Sequence, residues 1–91
     1  MSPSSDAHVE VTVTLPADVA LHARPAGVFV REASRFRSAI EVAANGKYAN
    51  AKSILEVLRL GALGGATLKL SAEGDDAAEA LASLAELVPR L

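Results

Sequence analysis

The chain of 91 residues has no cysteine and no tryptophan, with one tyrosine and two phenylalanines as its only aromatics. Without cysteine there is no disulfide framework, no thiol nucleophile and no thiolate metal site, and a reducing compartment is the natural setting. Scarce aromatics, in a chain that is 51% hydrophobic, mean that alanine, valine and leucine must build the core. No apolar run approaches the length of a membrane span, and the opening residues are polar, lacking the apolar core of a secretion signal. A cytoplasmic protein without membrane association is therefore expected. The net charge of −2, with lysine and arginine scattered, excludes the basic footprint of a nucleic-acid binder. The acidic run Glu73 to Asp76 lacks the further ligands of a calcium loop, and His8 has no second histidine at ligand spacing. Gly61, Gly64 and Gly65 are not followed by the lysine and serine or threonine of a nucleotide cradle. Neither metal nor cofactor is expected.

What is present is a dense alternation of short periodic segments. Residues 1–8 show no periodicity and read as a flexible leader, ahead of a single domain over residues 9–91. From Val9 to Leu15 apolar residues alternate with Glu10, Thr12 and Thr14, the pattern of a strand covered on one side. Pro16 and Asp18 break it and open a loop over 16–21. Ala26, Phe29, Val30, Ala33 and Phe36 then recur at helical spacing, and Pro25 is tolerated because a first turn needs no backbone donor. Ile40 to Ala44 and Lys47 to Asn50 flank Asn45-Gly46, a hairpin signal. Ser53 to Leu60 reads as a short helix stopped by Gly61, with Ser53 and Glu56 at capping-box spacing. After a Gly64-Gly65 turn, Thr67 to Ala72 alternates as a fourth strand. Asp76 with Glu79 opens a last helix, whose stripe ends at Val88 before Pro89. The order β-α-β-β-α-β-α predicts an α+β two-layer domain, a four-stranded antiparallel sheet with three helices on one face.

The segment Leu21-His22-Ala23-Arg24-Pro25-Ala26 carries the chemistry. A helix N-terminus offers unpaired amides and roughly half an elementary positive charge, which together attract anions. That field disfavours a protonated imidazole, biasing His22 toward the neutral, nucleophilic form. A phosphoryl group captured by such an imidazole lands where the backbone amides of Ala23 and Arg24 point. The Arg24 guanidinium can follow the equatorial oxygens as their charge shifts, a role that elsewhere changes phosphoryl-transfer rates by about 10³–10⁵. The plain structural alternative is a histidine that only caps a helix beside a solvated arginine.

With these residues in view, the sequence resembles the HPr family, the histidine-containing phosphocarriers of the bacterial phosphoenolpyruvate-dependent sugar phosphotransferase system. LHARPA is similar to its active-site motif, and Ala51 to Gly61 is similar to its second signature around a regulatory serine; the likeness runs from about Glu10 to Val88. The resemblance implies an open-faced two-layer sandwich. It implies His22 as the phosphorylated residue, modified on Nδ1, and Arg24 as its assistant. It also implies Enzyme I as donor, IIA-type proteins as acceptors, and a serine kinase or phosphorylase acting on Ser53 in some members. The loop 16–21 departs from the family by about two extra residues, and Ala20 stands where glycine is common.

Ser53 equally serves as a helix cap worth about 1 kcal/mol. Val57 and Leu60 read as core. Ile54, Leu55 and Leu58 match the family's docking patch, and arginines Arg24, Arg31 and Arg59 would rim it for transient partners. Gly27 costs its helix about 0.5–1 kcal/mol relative to alanine, and a smooth partner-facing surface is one reason to keep it. The expected protein is a monomeric, stoichiometric phosphoryl intermediate. Its rivals are a regulatory binding module switched at His22 or Ser53, and a small hydrolase using His22 as a transient nucleophile.

Overall fold

A computed structural model describes residues 8–91. Strand β1 (His8–Thr14) leads to helix α1 (Ala23–Ala33), the hairpin β2 (Ala39–Ala44) and β3 (Lys47–Asn50), helix α2 (Ile54–Arg59), strand β4 (Thr67–Glu73) and helix α3 (Ala77–Leu87). The strands form one antiparallel sheet in the order β1-β4-β2-β3. Leu70 in β4 lies between Val11 of β1 and Val42 of β2, and Val42 in turn faces Ala49 of β3. The alternation read from the sequence therefore lines one sheet face with aliphatic side chains.

That face is covered by helices. Ala26, Phe29 and Ala33 of α1, Val57 of α2, and Ala77, Ala80, Leu81 and Leu84 of α3 are buried against it. Phe29 is fully buried and anchors the layer; burying such a side chain stabilises by about 1.5–3 kcal/mol. The other sheet face, with Thr12, Glu41, Lys69 and Glu73, stays exposed. No helix among the described residues is long and apolar enough to cross a membrane.

Several expectations need correction. His8, placed in the leader, is the first residue of β1, paired with Glu73, and its ring lies 3.2 Å from the Glu10 carboxylate. The rest of the leader, residues 1–7, lies outside the described residues. Pro89 does not stop the last helix outright, because Val88–Arg90 continue it as one 3-10 turn with Val88 buried. Proline's fixed φ suits that tighter geometry, and its missing N–H costs little where the i→i−4 ladder already ends.

Asp76 precedes α3 and its carbonyl accepts from Ala80 N, but its side chain makes no capping bond to the helix. Its carboxylate instead accepts hydrogen bonds from the amides of Arg37 and Ser38, each at 2.9 Å, and from the Ser38 hydroxyl at 2.5 Å. These three donors, the Ser38 hydroxyl foremost and the Arg37 amide next, hold its pKa down at about 2. Gly74, with φ +143°, lies against the same serine: a Cβ there would sit 2.6 Å from Ser38 Oγ. Glycine is needed on both counts.

Candidate functional site

The sheet has two ends. At one, Ala39 and His8 both lie opposite Glu73, and the Asp76 clamp is close by. At the other, Thr14 lies opposite Thr67, and the chain leaves β1 for the loop that leads to His22. Leu15 and Leu21 are buried at either side of this loop, so it starts and finishes on the core. Backbone bonds tie it to the segment before β4: Leu15 N donates to Ala66 O, Leu21 N to Ala62 O and Gly65 N to Pro16 O, at 2.9, 2.9 and 3.1 Å.

His22 is the N-cap of α1, with extended backbone (φ −98°, ψ −166°) and an exposed side chain that makes no capping bond. Its carbonyl accepts the first helical bond, from Ala26 N at 2.9 Å, and its own N–H goes to Ala20 O at 2.9 Å. Pro25 has no N–H and Ala26 N is committed, so the backbone donors left at the helix mouth are those of Ala23 and Arg24. An imidazole, two amides without a partner among the described residues and an arginine thus share one exposed turn. Such a turn can hold a tetrahedral anion bonded to the ring.

Gly27 and Arg31 follow on the same outward face of α1. The spacing i, i+3, i+4, i+7 also puts Val28 there, which is 37% exposed. Gly27 has open space where a Cβ would stand, so neither packing nor torsion requires it to be glycine. Helix α2 packs against α1. On α2, Leu55 is 64% exposed, Ile54 is exposed and Leu58 is half-buried, while Val57 and Leu60 are core. Arg24, Arg31 and Arg59 are exposed, and among the described residues none is paired with a carboxylate. Arg35 and Arg37, outside this face, do have acidic neighbours.

Ser53 is the half-buried N-cap of α2, its hydroxyl accepting from Glu56 N at 3.3 Å. The expected reciprocal half of the capping box is absent. The Glu56 carboxylate accepts from Asn50 N at 2.8 Å, and Ser53 N donates to Asn50 O at 3.0 Å. Glu56 thereby ties α2 to the end of β3, a contact that local spacing does not announce.

Two contributors escaped the sequence reading. Leu63, 70% exposed, stands in the segment bonded to the His22 loop. Asn45, at φ +54° in the hairpin turn, donates its side-chain amide to Leu60 O and Gly61 O at 3.0 and 3.2 Å, fixing the far end of α2. Its only sequence signal was the Asn-Gly dipeptide, which announces a turn and not a tie.

A family model described as the PTS HPr component phosphorylation site matches residues 9–90. The phosphocarrier protein HPr of Buchnera aphidicola is 42% identical over 82 residues, covering 90% of this chain and 94% of that protein. The same protein of Vibrio cholerae is 43% identical over 82 residues, covering 90% and 96%. The crystal structure of a phosphocarrier protein HPr from Bacillus anthracis superimposes with a TM-score of 0.85 at 41% identity, covering 90% of this chain and 98% of that one.

Proposed function

Since this chain belongs to the HPr family of phosphotransferase-system phosphocarriers, we propose that His22 is the residue that takes the phosphoryl group, from Enzyme I, and yields it to IIA-type acceptors. The observation that carries this reading is the exposed imidazole at the N-cap of α1, which, like the neighbouring amides of Ala23 and Arg24, has no hydrogen-bond partner among the described residues.

In the forward step a ring nitrogen of His22 attacks phosphorus in line, the N–P bond to the donor's phosphohistidine breaks, and a phosphoramidate forms on His22. The amides of Ala23 and Arg24 receive two of the phosphoryl oxygens, and the Arg24 guanidinium covers the charge that develops on them. Ala23 adds no bulk on the approach side. The reverse sequence, with an acceptor histidine as nucleophile, unloads the carrier.

The surface around the site suits brief encounters. Ile54, Leu55 and Leu58 supply a small apolar patch, Gly27 leaves room for close approach, and Arg24, Arg31 and Arg59, without a carboxylate partner among the described residues, favour acidic-rimmed partners. Nucleophile, amides and patch all come from one chain, so a monomer suffices. Ser53 is proposed as a secondary control point. A phosphate there would bring roughly −1.5 to −2 charges next to Ile54 and Leu55 and repel the same acidic partners.

Incubation with Enzyme I and labelled phosphoenolpyruvate tests the reading. We expect an acid-labile, alkali-stable label that is lost in His22→Ala. Arg24→Glu should keep its thermal transition and slow transfer by at least about tenfold. A label that survives His22→Ala would overturn the assignment.

A further inference from the structure

Loop 16–21 and the segment 62–66 run past each other in opposite directions, and at Gly64 their backbones touch. A Cβ on Gly64 would lie 2.1 Å from Ala17 O, 2.7 Å from Ala17 C and 3.2 Å from Val19 N. Gly46, Gly61, Gly65 and Gly74 have positive φ, and Gly64 does not. Torsion therefore does not call for glycine at 64; the missing side chain does. The atoms it would strike belong to backbone, which cannot swing aside as a side chain can.

The peptide immediately before the Ala17 carbonyl is held on two sides. Pro16 O accepts from both Val19 N and Gly65 N, each at 3.1 Å, so the turn within the loop and its tie to the facing segment share one acceptor. Upstream, buried Leu15 is bonded to Ala66; downstream, buried Leu21 is bonded to Ala62. A displacement at Ala17 has to be absorbed between those anchors, in the stretch that ends at Ala20, whose carbonyl holds His22 N.

We infer that Gly64 is a positioning residue for phosphoryl transfer: its bare Cα lets loop 16–21 pass against the segment 62–66 and thereby sets where His22 stands against the amides of Ala23 and Arg24. The inference rests on the reading of His22 as the phosphoryl-bearing residue.

The test compares Gly64→Ala with Gly74→Ala in the full chain. Both put a Cβ into occupied space, but Gly74 lies at the opposite end of the sheet, against Ser38. We expect both to lower Tm. Only Gly64→Ala should lower the kcat for phosphorylation by Enzyme I, by between about tenfold and a hundredfold, with KM little changed because the α2 docking residues keep their places. In ¹⁵N–¹H spectra the amides of residues 17–24 should shift in Gly64→Ala and stay in place in Gly74→Ala. Should Gly64→Ala not fold, the double variant Ala17→Gly/Gly64→Ala, whose loop carbonyl can turn aside, supplies the comparison. Wild-type kcat in a folded Gly64→Ala, or equal slowing in both variants, would overturn the inference. Absence of label on wild-type His22 would instead defeat the carrier reading, and the amide shifts would still decide whether Gly64 sets the loop.

Discussion

The two ends of the sheet are held by different means. At the end away from His22, one carboxylate gathers three hydrogen bonds: Asp76 joins the start of α3 to the turn between α1 and β2 through Arg37 and Ser38. At the His22 end the loop is held by backbone bonds to residues 62–66 and by the contact at Gly64. A charged clamp is strong but brings a fixed charge with it. Beside a histidine proposed to carry a phosphoryl group, such a charge would bias the chemistry, whereas amide-to-carbonyl bonds hold the loop and leave the local field to the helix and Arg24.

Three changes would break or sharpen this contrast. The largest effect is expected for Gly74→Ala, where left-sided torsion and the clash with Ser38 should together cost about 2–4 kcal/mol of stability in denaturant melts. Transfer to His22 by the folded fraction should be untouched, so a selective loss of transfer there would mean that the ends are coupled.

The second change concerns acid. Because the Asp76 carboxyl titrates at about 2, below its ordinary 3.8, the unfolded chain binds that proton more readily. Its stabilisation is complete above about pH 4 and drains away as the pH falls toward 2. Asp76→Asn should be less stable than wild type at neutral pH and should show a flatter fall in Tm between pH 4 and 2; parallel acid limbs would refute the clamp. Transfer activity of the folded variant at neutral pH should survive.

The smallest effect is expected for Gly27→Ala. With open space at its Cβ, the substitution should stabilise α1 by about 0.5–1 kcal/mol. The same methyl should raise the KM for Enzyme I, and an unchanged KM would remove Gly27 from the docking surface.

Much of this was legible in local sequence. Alternation and helical stripes marked every element, because each strand and helix has one face on the core. His22 could be placed at a helix mouth because Pro25 dates the start of α1. Two of the misreadings share a cause. Asp76 and Glu56 stand where local patterns assign them to their own helices, yet their carboxylates bind Arg37 with Ser38, and Asn50. The Gly64-Gly65 pair was legible as a turn, but that its first glycine makes room for Ala17 depends on packing between segments far apart in the chain. Side chains that reach across the fold leave no periodic trace.

The proline in the first turn of α1 bears on how firmly cargo is held. By deleting one amide it leaves two backbone donors, so a phosphoryl group held there as proposed would keep one of its three oxygens for water, Arg24 or an incoming protein. A courier that wrapped its parcel completely would deliver it slowly. On the proposed role, incomplete wrapping would make the handover quick, at the cost of a shorter shelf life for the loaded form.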